Sequence, residues 1–244
     1  MKFIVQKEVF DRVPGLVIGV VAVKGCNNHG KVLEIMDLLG EVEMFISSNF
    51  TKDTVSQHQH IESWRKAFAA FRKEAHTYHT PVERLIRTIL EKGSVEQQNK
   101  LVDIAAYISL KYIIPIACYD LDTIFGDIEL GLASGTEKFI GAEPGPAVKV
   151  AKQEIIYKDA VQVLSRAWNW KQNYTSMISK DTKNALLVIE GLPPVQQDEV
   201  ESIIKELIEL IDMHCQGDIG YQLLNGELRQ LDIGELEPAI KLRY

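Results

Sequence analysis

Arg166-Ala-Trp-Asn-Trp-Lys-Gln172 brings two of the three Trp of this chain within three positions, among a guanidinium, an ammonium and two amides. Such groups can stack a planar ligand and hydrogen-bond its edge. The segment follows Glu154-Ile-Ile-Tyr157 and Val161-Gln-Val-Leu164, so it is expected to lie on, or leave, a strand whose side chains alternate faces. Alternation puts Arg166, Trp168, Trp170 and Gln172 on one face and Ala167, Asn169 and Lys171 on the other. Two readings of the first face stay open: an aromatic binding platform, or a barrel rim in which each Trp buries its ring and Arg166 stacks on it. A second candidate is Asp103, inside a helix expected from about Asn99 to Tyr112 whose apolar residues fall on nearly all sides. A carboxylate buried there needs donors, since leaving it unpaired costs several kcal/mol. Its role as partner to nearby backbone N–H groups ranks ahead of a direct catalytic one.

Several chemistries are disfavoured. The chain has no Gly-x-x-x-x-Gly-Lys-Ser/Thr loop, no Gly-x-Gly-x-x-Gly turn and no Gly-x-Ser-x-Gly elbow, which argues against nucleotide hydrolysis, dinucleotide redox chemistry and the usual Ser-His-Asp hydrolases. No cofactor is expected. Cys26, Cys118 and Cys215 are odd in number and far apart, so neither a disulfide framework nor a zinc site is indicated. His58 and His60 have no third ligand nearby and read as part of a solvated loop rather than a metal site. None of the six histidines falls in the strand-rich part that carries the two Trp, so a hydrolase of this sequence would use a positioned water.

The elements that must position these residues follow from periodicity. Phe3–Val5 and Leu16–Val23 are β-rich runs separated by Pro14-Gly15, two early strands expected to pair or lie side by side. Val32, Ile35, Met36, Leu39 and Val42 recur at helical spacing, as do Ile61, Trp64, Phe68 and Phe71. Thr80-Pro-Val-Glu83 is a capping box with Pro at the first helical position, and Gly93 ends that helix. From Ile116 the pattern changes to short strands, ending at Ala185–Glu190. Val200, Ile203, Ile204, Leu207, Ile208 and Ile211 then mark a long amphipathic helix, and Gly220–Tyr244 reads as a surface strand or turn. The expectation is α+β: one domain over residues 1–244, with an N-terminal helical lobe, a mixed, curled sheet lobe, and a cleft at their seam lined by the Arg166–Gln172 segment.

Composition sets bounds on partners. Of 244 residues, 46% are hydrophobic and 25% charged, which is ordinary for a globular fold. No window approaches the roughly 20 apolar residues of a membrane span, and the first residues lack a signal pattern, so the chain reads as soluble and cytoplasmic with no membrane partner. A formal charge of −7 argues against coating nucleic acid, DNA included, because neutralising phosphates takes clustered Lys and Arg. A grip on one end of an RNA by a small patch (Lys149, Lys152, Arg166, Lys171, Lys180 and Lys183) remains compatible.

Four stretches carry a family resemblance: Asn99-Lys-Leu-Val-Asp103-Ile-Ala-Ala-Tyr107, Ile114-Pro-Ile-Ala-Cys-Tyr-Asp120, Arg166-Ala-Trp-Asn-Trp170 and Thr182-Lys-Asn-Ala-Leu-Leu187. In order and spacing they resemble the editing domain of the phenylalanyl-tRNA synthetase beta subunit, its third and fourth modules, over about residues 80–192. The resemblance implies that domain's fold, in free-standing form. It also implies hydrolysis of a mischarged amino acid from the 3′ end of tRNA, with the aminoacylated acceptor end as partner. Arg166, Asn169, Lys171 and Gln172 would then supply donors for the reaction. Trp168 and Trp170 would contact substrate, as would Asn99, Asp103, Glu137, Thr182 and Glu190, with Glu137, Asp103 or Glu190 meeting the amine. The sequence departs from the family at Ala117, where a pocket His is usual, and at Ala106, where an Asn is. The family's acidic specificity residue falls near Val188, which makes Glu190, one strand period on, its stand-in. No ATP-binding class II core is recognisable, so ligase activity is not implied. A non-catalytic module for a small amino-acid-like or nucleoside ligand, or for a protein partner, is the alternative.

Overall fold

The computed structural model describes residues 1–71, 78–141 and 145–238. In chain order the elements are β1 (Lys2–Val5), α1 (Lys7–Arg12), β2 (Val17–Lys24), α2 (Leu33–Asn49), α3 (Gln59–Phe71), α4 (Pro81–Lys92), α5 (Lys100–Tyr112), β3 (Ile116–Asp120), β4 (Ile128–Leu132), β5 (Lys138–Phe139), β6 (Val148–Lys149), β7 (Ile155–Lys158), β8 (Val163–Arg166), β9 (Lys171–Gln172), β10 (Ala185–Gly191), α6 (Gln197–His214), β11 (Asp218–Leu224), β12 (Gln230–Asp232) and β13 (Glu237–Pro238). Among the described residues no helix is long and apolar enough to cross a membrane.

β2 shows how the sequence builds the layers. Seven of its eight residues are buried, and strand alternation sends them to opposite sides. Val17, Val21 and Val23 face a core shared with α2, α4, α5 and α6, while Ile18, Val20 and Ala22 face one shared with β1, β4, β7, α1 and α3. A strand apolar on both faces can be satisfied only between two layers. β2 accordingly sits inside an antiparallel sheet of order β13-β11-β2-β10-β3, and a mixed sheet of order β12-β1-β4-β7-β8-β9 covers its second face. The architecture is α+β, and the helical and strand-rich regions are stacked layers with the five-stranded sheet between them.

The two early strands do not pair. β1 hydrogen-bonds β4 and β12, and β2 hydrogen-bonds β10 and β11. α1, which the periodicity did not suggest, intervenes, and Phe3 and Val5 meet Ile18 and Val20 across a core rather than along a sheet edge. Of the strand or turn expected from Gly220 onward the structure has the strand, half-buried rather than on the surface, because β11 pairs with β2 from Asp218 to Leu224 and with β13 on its other side. Residues 239–244 lie outside those described. The helix boundaries follow the capping signals: Thr80 accepts from Glu83 N at 3.3 Å, Pro81 opens α4, and Gly93 closes it at φ 88°.

α6 approaches the sheet over two glycines. A Cβ at Gly19 would overlap the Ile204 side chain, and one at Gly191 would stand 2.6 Å from Val200 Cγ2. Gly191→Ala is therefore expected to destabilise the fold by about 1–3 kcal/mol through overpacking. Gly40→Ala, on an exposed face of α2 with no atom near its Cβ position, should instead stabilise by about 0.5–1 kcal/mol. Urea denaturation of the two variants reads both signs.

Candidate functional site

The two sheets end on neighbouring edges. β3 closes the five-stranded sheet and β9 the six-stranded one, and the Gln172 amide joins them by donating to the Cys118 carbonyl at 2.8 Å. α4 and α5 lie over this junction, leaving a cleft of about 390 Å³. Its apolar wall comes from Leu85, Val102, Ala106, Ile116, Ala117 and Ile178, its polar wall from Gln98, Ser165, Asn169 and Gln172, and exposed Arg84 borders it. Ala106 and Ala117 both stand on its surface, where their small side chains leave room.

The segment 166–172 does not run on as a strand. Pairing of β8 with β7 stops at Arg166, and Ala167 and Trp168 take φ of 45° and 64°, a left-handed pair that costs roughly 1–2 kcal/mol per non-glycine residue. The turn is held by Trp168 N–H on the Ile155 carbonyl at 2.7 Å and by Ala167 N–H on Glu154 at 3.0 Å. Face alternation is thereby lost, and the expected four-residue face does not form. Trp168 is fully buried, with the rings of Trp64 and Phe71 edge-on at 4.9 and 5.6 Å. Trp170 stacks on Tyr78 at 4.2 Å with Lys171 Nζ 4.4 Å over its ring, and its carbonyl accepts from Arg84. Arg166 makes two bonds of 2.9 Å to Glu154. Asn169 and Gln172 alone from this segment reach the cleft wall.

The chemistry converges on Glu190. It is completely buried on β10 and accepts from Tyr157 Oη at 2.6 Å and Trp168 Nε1 at 2.5 Å on Oε1, and from Asn169 Nδ2 at 2.6 Å on Oε2. Burial pushes its carboxyl above the ordinary range, against the pull of the three donors. Glu190 itself does not line the cleft; Asn169 stands between. The oxygen of that amide, Asn169 Oδ1, is buried without a hydrogen-bond partner. Beside it, Ser165 Oγ and Tyr119 Oη are 2.9 Å apart, and either hydroxyl can donate to the other. Cys118 is on the wall too, but burial pushes its thiol up to about 12, far from thiolate chemistry at neutral pH.

The remaining candidates are placed elsewhere. Asn99 caps α5 by accepting from Val102 N at 3.2 Å and is held by Asn28 Nδ2 at 2.9 Å. Asp103 accepts from Gln98 N at 2.9 Å; burial raises its carboxyl, with the Gln98 bond opposing, and it ties the residue before the cap to the first turns of α5. Thr182 donates to Asp120 at 2.5 Å and accepts from Ser179 N. Glu137 is half-buried and gathers N–H groups of Ser134, Gly135 and Thr136; burial pushes its carboxyl up, but those bonds outweigh it and hold it down at about 2. None of these four lines the cleft. Sequence reasoning missed Ser165, Gln98 and Arg84, of which only Gln98 carried a local signal, its place just before the Asn99 cap. Among the described residues no group of three or more His, Cys, Asp or Glu is arranged to hold a metal ion.

Two outcomes follow. Glu154 is 2% and Arg166 15% exposed, so Arg166→Ala should cost about 3 kcal/mol of stability by taking the charge-paired guanidinium from a buried carboxylate, measurable by denaturant unfolding. Glu190 has a folded pKa above its ordinary 4.5. From pH 4.5 up to that raised value the native state binds the extra proton, so this group's contribution to stability falls as pH rises. Unfolding free energy of Glu190→Gln minus wild type should increase with pH across this window and then level off.

Comparison with known proteins identifies relatives of the chain. The sequence profile of the B3/4 domain matches residues 63–216. The uncharacterized protein YhzB of Bacillus subtilis (strain 168) is 20% identical over 178 residues, 72% of this chain and 77% of that protein. Among solved structures, an N-terminal fragment of the phenylalanyl-tRNA synthetase beta-subunit from Pyrococcus horikoshii is similar over 89% of the chain at a TM-score of 0.44 and 14% identity, and the chain spans 49% of that fragment. The profile match takes in well over half of the chain and every cleft residue named above: the chain belongs to the B3/4 domain family.

Proposed function

We propose that the cleft receives the aminoacyl group of a mischarged tRNA and that the chain acts in trans as an aminoacyl-tRNA deacylase. The observation that carries this reading is the buried, unpartnered Asn169 Oδ1 on the cleft wall. A buried acceptor without a donor costs about 1–3 kcal/mol, a cost a ligand's amine removes. The apolar wall suits a side chain, and a volume of about 390 Å³ is at the small end of the range for ligand sites. Family membership supplies the tRNA context.

In this reading Ser165 takes the proton of Tyr119 as a hydrogen bond and turns its own toward the ester carbonyl. Water attacks the carbonyl carbon, the oxyanion is met by Ser165, and the ester bond to the terminal ribose breaks as the ribose oxygen takes up the water's proton. Catalysis then rests on positioning and oxyanion stabilisation. Exposed Lys149, Lys152, Lys171, Lys180 and Lys183 offer phosphate contacts, whereas Arg166 is committed to Glu154. One observation favours the alternative, a module that binds an amino-acid-like ligand without turning it over: the described residues lining the cleft include no His and no carboxylate, hence no general base.

Deacylation of a panel of mischarged tRNAs decides between them. Wild type should release the amino acid from at least one member, and Ser165→Ala should lower that rate about a hundredfold. Release from none, with retained binding of a hydrolysis-resistant aminoacyl-adenosine, leaves the binding module.

A further inference from the structure

We infer that Glu190 is a positioning residue that fixes which way the Asn169 amide faces, and so makes the inner end of the cleft selective for a ligand bearing a primary ammonium. This rests on the reading of the cleft as an aminoacyl site.

An ionised carboxylate can only accept hydrogen bonds. Glu190 receives three, all from groups with protons to give, and Oε2 takes Asn169 Nδ2 at 2.6 Å. While Glu190 is ionised the amide does not turn over, because a flip would set its carbonyl oxygen against Oε2 with no proton between them. With the N–H2 group spent on Glu190, the oxygen is what Asn169 has left, and it is buried, unpartnered and on the cleft wall. Gln172 is oriented by the same logic, since its Nε2 is given to the carbonyls of Cys118 and Ser176 at 2.8 and 3.2 Å. The part of the wall made by Asn169 and Gln172 thus recognises donors and repels acceptors. Among donors an ammonium gains most, because its hydrogen bond to Asn169 is charge-assisted and the Glu190 carboxylate lies just behind that amide.

Glu190→Gln isolates this role. The side chain keeps its size, and its amide oxygen can still accept from Tyr157 and Trp168. Its N–H2, however, faces that of Asn169, and the clash is relieved when Asn169 turns its oxygen inward and presents N–H2 to the cleft. The site changes from acceptor to donor with no change in volume.

The test uses amide-linked aminoacyl-adenosines, resistant to hydrolysis, with Ala, Val, Phe and Tyr side chains, each paired with the compound lacking only the amine. Binding is read by calorimetry. Wild type should prefer the amine-bearing member of at least one pair by about tenfold or more. In Glu190→Gln the preference should fall to within about twofold, mostly through weaker binding of the amine compound. Asn169→Ala should lose the preference as well and serves if Glu190→Gln does not fold. A folded variant that keeps the tenfold preference overturns the inference, as does a wild type that binds both members of every pair equally; the aminoacyl reading survives either result. If wild type binds no member of any pair, that reading falls and the inference falls with it.

Discussion

A carboxylate without water must be met by donors or it will not remain charged, and the protein meets that demand at Glu190 with three donors from two elements. Tyr157 comes from β7, and Trp168 and Asn169 from the turn after β8. These belong to the six-stranded sheet or its continuation, whereas Glu190 belongs to β10 of the five-stranded sheet. The polar knot therefore pins one sheet to the other at the side where the cleft lies. Partnering by neutral groups offsets only part of the desolvation of a buried anion, and hydrophobic burial around Trp168, Tyr119 and Tyr157 has to supply the rest.

Strain is accepted at the same place. Two successive non-glycine residues, Ala167 and Trp168, hold positive φ, and the energy goes into aiming three residues within four positions differently. Arg166 is tied to Glu154, Trp168 goes into the core, and Asn169 points its amide between Glu190 and the cleft. A regular strand could not separate neighbours in this way, because its period returns every second side chain to the same face. Distortion at a site is maintained only when the surroundings over-determine it, and here the indole N–H bond and the packing of Trp64 and Phe71 do so.

Much of this was legible in the sequence. Caps at Thr80 and Gly93, the helical stripes, the short-strand region and the importance of the 166–172 segment all follow from local patterns, and local patterns are what short-range physics writes into a chain. The fate of individual side chains in that segment was not legible. Nothing near Ala167 in sequence announces a left-handed turn, since no Gly or Asn marks it. Nor does anything near Arg166 reveal that Glu154 will claim it. Asp103 could be read as a partner of backbone N–H groups because its donor lies five residues away, but the link from Glu190 to Asn169 spans 21 residues and two sheets.

The pairing of β2 carries a kinetic consequence. Its partners β10 and β11 join it through pairs such as Val20↔Val188 and Val20↔Gln222, so the central sheet closes loops of well over a hundred residues. High contact order of this kind slows folding. A ribosome adding residues at about 5–20 per second exposes β2, apolar on both faces, for many seconds before either neighbour exists. Until then its uncovered edges and faces are open to other chains. The burden of reaching the native state thus falls on the nascent chain, and β2 is the segment that a chaperone would have to shield.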